Sequence, residues 1–194
     1  MWNRFIKNQN GFTGLEAAIV LIAFVVVAAV FSYVMLGAGF YTTQKSQEVV
    51  HTGVTQASSS LAPSGDVIVE GASSNRVENI TFYVTNTAGG SAVDLDKTII
   101  TYTDSNDLTT KSYTAANAGS WIYDAVISNG GATNLIEKGE KYKITIKVAS
   151  LGLSDAPTVN EKIKIEVKPP EGAVLILERT MPAALTDGQY YSVY

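Results

Sequence analysis

Hydrophobic and polar positions fall along this chain in two different rhythms. Across residues 17–43 no side chain is charged, and Ile19, Val20, Leu21, Ile22, Phe24, Val25, Val26 and Val27 leave no direction around a helix polar. A helix apolar on every side is a membrane span or is buried by protein on all sides. About 20 such residues cross the hydrocarbon core of a bilayer, where the backbone must satisfy its own hydrogen bonds and helix is enforced despite the β-branched side chains. The next stretch, 42–61, is polar, yet Val49, Val50, Val54 and Leu61 recur at roughly helical spacing. The pattern therefore predicts one helix from Phe12 to about Ser59, roughly 70 Å long at 1.5 Å per residue, with Gly37, Gly39 and Gly53 as weak points. Ser58-Ser59-Ser60 and Pro63-Ser64-Gly65 end it.

From about Asp66 the period changes to two. Ile163, Ile165 and Val167 alternate with lysines and a glutamate; Tyr142, Ile144, Ile146 and Val148 alternate with Lys141, Lys143, Thr145 and Lys147; Ile80, Phe82 and Val84 form a third such face. This is the mark of half-buried antiparallel strands. Further strands are expected at 67–70, 98–103, 109–113, 121–127 and 173–179, separated by turn signals such as Ser105-Asn106-Asp107 and Pro169-Pro170-Glu171-Gly172. Gly89-Gly90 and Gly130-Gly131 read as hairpin glycines. About eight short strands predict a two-sheet sandwich of immunoglobulin-like type with Trp121 in its core. The fold class is thus α+β, a long apolar helix followed by an antiparallel immunoglobulin-like β-sandwich head. The last residues, 185–194, carry three tyrosines and read as a final edge strand, with a subunit contact strip as the alternative.

Composition narrows the function. A formal charge of −4 with scattered Lys and Arg argues against a nucleic-acid partner, and the absence of cysteine removes disulfides and thiolate metal sites. The one histidine, His51, lies in the polar half of the predicted helix near Glu48, where a solvated face explains it better than a metal site. With no histidine in the head a Ser triad has no base, so no enzyme and no cofactor are expected. Asp104 and Asp107, with Asp94 and Asp96, form a weak cation candidate that lacks the glycine and distal glutamate of a calcium loop. Asn79-Ile80-Thr81 is the one N-glycosylation sequon in the chain. The alternation of Ile80, Phe82 and Val84 places Asn79 on the outward face, making Asn79 and Thr81 a glycosylation candidate.

Three readings fit the apolar run. A cleaved secretory signal has a shorter core, and a plain membrane anchor gives no role to Gly11-Phe12 or Glu16. The third rests on the stretch 7–16, Lys7-Asn8-Gln9-Asn10-Gly11-Phe12-Thr13-Gly14-Leu15-Glu16, which resembles the class III signal of type IV pilin-like proteins. With the Ile/Val/Ala run that follows, it looks most like that of the archaellins, the archaeal flagellins. Arg4 and Lys7 before the span favour a cytoplasmic N-terminus.

The resemblance implies that a prepilin or preflagellin peptidase cuts the Gly11–Phe12 bond. Residues 1–11 would be the signal, 12–61 the helix (membrane span in the precursor, filament core afterwards), 62–65 a hinge and 66–194 the head on the filament surface. It implies an extracellular homopolymeric filament for swimming, possible co-assembly with other archaellins, and motor and assembly proteins as partners. Glu16 then becomes a candidate assembly contact, pairing with the new amine of Phe12, with a place at the lipid headgroup boundary, favoured by the helix N-terminus, as the alternative. An acidic residue there is more typical of pilins, so an adhesive archaeal pilin is the alternative, with a membrane-anchored binding protein behind it.

Overall fold

The computed structural model describes residues 9–87, 91–115 and 119–193. Among the described residues one α-helix, α1, Gln9–Ser58, is followed by strands and a single 3-10 turn, Val148–Ser150, and the chain divides into two compact units, Met1–His51 and Thr52–Tyr194.

The second unit is a sandwich of antiparallel sheets. The larger sheet runs β12 (Tyr190–Val193), β2 (Val67–Ala72), β3 (Arg76–Asn86), β9 (Lys141–Lys147), β7 (Trp121–Ile127), with β1 (Leu61–Pro63) also on β3. The smaller runs β11 (Leu175–Thr180), β10 (Lys162–Lys168), β5 (Ile99–Thr103), β6 (Leu108–Ser112); β4 (Val93–Asp94) and β8 (Leu135–Ile136) form a separate pair. The alternation explains the layers: Val69, Ile80, Phe82, Val84, Tyr142, Ile144 and Ile146 from the larger sheet share one core with Ile100, Tyr102, Ile163, Ile165 and Val167 from the smaller. Trp121 is fully buried, with its indole N–H donating to the Lys111 carbonyl at 3.2 Å and its ring against Tyr113 and Tyr123.

Two expectations change. The stretch 62–65 is not a free hinge: Leu61, Ala62 and Pro63 pair with Asn86, Thr85 and Val84, and Ser64 N–H donates to the Tyr83 carbonyl. A strand of three residues leaves no periodicity to detect. Gly130-Gly131 do not close a hairpin, because β7 pairs with β9 and β8 with β4; Gly130 has φ +85°. Gly89-Gly90 lie outside the described residues. The last strand, β12, does form an edge, pairing with β2 from Tyr190↔Glu70 to Val193↔Val67; Tyr194 lies outside the described residues.

Candidate assembly helix and modification sites

The helix is built to be covered by something else. Every described side chain from Gly14 to Val54 is exposed, including Phe24 at 72% and Tyr33 at 80%. This stretch, Gly14–Val54, is long and apolar enough to cross a membrane. An apolar surface of this size on a water-soluble chain marks a lipid or protein contact. Past the apolar run, Thr42 and Thr43 donate their hydroxyls to the carbonyls of Ala38 and Gly39, at 2.7 and 2.9 Å. Two otherwise polar side chains thereby bond back to their own helix where the greasy surface ends. Lys45 and Glu48 pair at 2.6 Å, and His51 is exposed on the same polar half.

Gly11 and Phe12 lie in the first turns of α1, whereas Arg4 and Lys7 lie outside the described residues. Glu16 is exposed and makes no ion pair among the described residues. It shares a helix face with Val20 and Phe24, four and eight residues on. A carboxylate with apolar neighbours takes a cation or a proton once water is removed, and an amine at Phe12 would stand one turn away.

In the head, Asn79 occupies the outer face of β3, half-buried between Glu70 on β2 and Lys147 on β9. Its amide nitrogen donates to Glu70 Oε2 at 2.8 Å, and the Tyr190 hydroxyl donates to the other Glu70 oxygen at 3.0 Å. The Thr81 hydroxyl stands 3.3 Å from that of Thr145.

The cation candidates are used differently. Asp104 Oδ1 accepts the N–H groups of Asn106 and Asp107, closing the β5–β6 turn. Asp107 accepts both the N–H and the hydroxyl of Ser154, which hold its carboxyl below the usual range. Asp94 pairs with Lys97 at 2.9 Å, and Asp96 accepts the Tyr123 hydroxyl at 2.6 Å. Among the described residues no group of three or more His, Asp or Glu could hold a metal ion.

One residue escaped the sequence reading. Glu140 is 1% exposed, and its carboxylate accepts the N–H groups of Glu137 and Asn129 at 2.8 and 2.9 Å and the Ser128 hydroxyl at 3.2 Å. Those donors, the Glu137 N–H first, lower its pKa. Its setting in Lys138-Gly139-Glu140 signals only a turn.

Comparison with known proteins agrees with this architecture. A family model for archaeal-type flagellin matches residues 11–179. Probable flagellin 2 of Archaeoglobus fulgidus is 49% identical over 196 positions, which cover 93% of this chain and 94% of that protein. The archaeal flagellum of Methanospirillum hungatei strain JF1 superposes with a TM-score of 0.72 at 37% identity, covering 93% of this chain and 98% of that one. The crystal structure of an archaeal flagellin from Methanocaldococcus jannaschii shares the fold at 16% identity, with a TM-score of 0.61 over 70% of this chain and 96% of that one.

Proposed function

The chain belongs to the archaeal-type flagellin family and is a structural subunit of the archaellum, the extracellular filament of archaeal swimming, and we propose the route by which it gets there. The precursor is held in the cytoplasmic membrane by α1 (Gln9–Ser58). A prepilin-type peptidase cuts the Gly11–Phe12 bond and removes Arg4 and Lys7, the charges that hold the N-terminus on the cytoplasmic side. Freed helices leave lipid and bundle along the filament axis, and the heads form the surface.

The observation that carries this reading is that every described side chain over Gly14–Val54 is exposed, the uncharged apolar run 17–41 among them. While lipid is the alternative, helix association gains little from hydrophobicity, and close packing at Ala17, Ala18, Ala23, Ala28, Ala29, Gly37 and Gly39 supports it. Once water is the alternative, each Val, Leu, Ile or Phe covered by a neighbour contributes roughly 1.5–3 kcal/mol. Identical subunits in a heterologous, non-closing contact give an open helix. Glu16 answers the new amine of Phe12, in the same chain or the next, so the buried carboxylate is neutralised during assembly. Asn79 is the glycosylation site, supported by the sequon and its outward face. Motor and assembly proteins of the archaellum are the further partners.

The experiment is intact-mass and N-terminal peptide analysis of sheared filaments, with Gly11 replaced by a bulky residue in parallel. A mature chain starting at Phe12, and a variant retained uncut in the membrane, are expected. Normal filaments from that variant would sink the processing scheme.

A further inference from the structure

The sequon is closed off by the fold that carries it. β3 lies between β2 and β9, so both of its edges are engaged around Asn79-Ile80-Thr81: Asn79 faces Glu70 and Lys147, and Thr81 faces Ile68 and Thr145. The acceptor nitrogen is held by Glu70 at 2.8 Å, the Thr81 hydroxyl by Thr145 at 3.3 Å, and Ile80 between them is fully buried in the core.

Transfer of a glycan joins Asn79 Nδ2 to the anomeric carbon of a sugar carried on a lipid phosphate. The anomeric carbon–oxygen bond to the phosphate breaks, the lipid phosphate leaves with the electron pair, and the amide gives up one proton. For this the nitrogen must leave Glu70, and the backbone around it must come away from two neighbouring strands so that an enzyme can take hold of it. Lifting Ile80 from the core together with both ladders is an opening on the scale of global unfolding. Such states hold on the order of 10⁻³–10⁻⁶ of the molecules.

We propose that Asn79 accepts its glycan only before β3 pairs with β2 and β9, so that occupancy is fixed during export and a folded head cannot acquire the sugar later. The inference rests on the glycosylation reading above and adds when, relative to folding, the transfer takes place. Transfer leaves the amide one hydrogen, enough to restore the bond to Glu70. The sugar departs from the outer face of the sheet, away from the core residue Ile80, so a modified chain can still complete its fold.

The fold supplies its own control. Residues 124–133 are all exposed, and Gly131→Thr completes a second sequon there at Asn129. A Cβ at Gly131 meets only the Glu137 carboxyl at 3.5 Å, an ordinary contact, and Gly131 is not among the positive-φ glycines. An oligosaccharyl transferase and its lipid-linked oligosaccharide are offered two acceptors. One is the folded, unglycosylated Gly131→Thr chain in detergent; the other is a synthetic peptide of residues 74–84. The readout is mass spectrometry with site mapping.

The peptide is expected to be modified at Asn79. The folded chain is expected to be modified at Asn129, with Asn79 at least a hundredfold slower than in the peptide. A smaller ratio overturns the folding gate while leaving Asn79 a glycosylation site. A peptide left untouched while Asn129 is modified overturns the glycosylation reading itself, and the gate with it.

Discussion

Glu140 follows a turn glycine and precedes a strand of alternating lysines and aliphatics, so by pattern it is a loop residue. In the fold its carboxylate is the acceptor for three donors in a place water does not reach. Glu140→Gln keeps the shape but turns an amide donor toward N–H groups, and should destabilise the head by about 1–3 kcal/mol in urea unfolding. Its pH dependence follows from the lowered pKa: stabilisation by the ionised form is complete above the ordinary glutamate value of 4.5 and is lost as pH falls through the folded value. The wild-type head should therefore lose stability more steeply than the Gln variant as pH drops below about 4.5; parallel acid profiles would contradict this. Gly172 makes a second residue-level case. It has φ +101°, and a Cβ there would fall on the Ser59 carbonyl oxygen. Gly172→Ala should lower stability by roughly 2–4 kcal/mol, read from the shift in urea midpoint. Trp121 was legible beforehand as a core residue because it stands in an apolar stretch of a strand; Glu140 was not, because its partners are backbone groups that no side-chain pattern encodes.

At the scale of the element, legibility followed length and periodicity. β9, β10 and β7 were readable from their alternation or apolar content, and the long helix from its lack of charge. β1, β4 and β8, of two or three residues each, were not readable, because pairing with a distant strand defines them and no local preference does. The extra residue in β3 was equally hidden: Val77 pairs with Gly71 and Asn79 with Glu70, leaving Glu78 exposed between them as a bulge. The helix carries the functional prediction. Val26→Lys, at the centre of the apolar run, changes nothing inside the head and should leave its thermal unfolding unaltered. A lysine at mid-membrane opposes insertion by roughly 2.5–3.5 kcal/mol, and the same charge would lie buried and unpaired in a filament core. Filaments should be absent by electron microscopy; normal filaments would show that this part of α1 is not covered in assembly.

For the whole molecule, the division into Met1–His51 and Thr52–Tyr194 separates the exposed apolar run from the part that holds the buried core. Every buried hydrophobic residue among those described lies between Leu61 and Val193. A chain of residues 52–194 should thus fold alone, matching the head of the full chain to within roughly 0.5 kcal/mol in urea. Filaments should respond to solvent in a matching way. Under the proposed assembly, in which the apolar helix is the cohesive part, about 1 M salt, where the Debye length is ~3 Å, should leave them intact, whereas a micellar detergent should dissolve them; sedimentation separates the outcomes. The missing stripe on α1 has a consequence for how such filaments are indexed. A rod that is equally greasy at every azimuth gives its neighbours no preferred bearing, so its surface holds very little addressing information. The address must be written in the few marks that break the monotony, Glu16 near one end, the glycines at 37 and 39, and the polar turn beyond them, and in the heads.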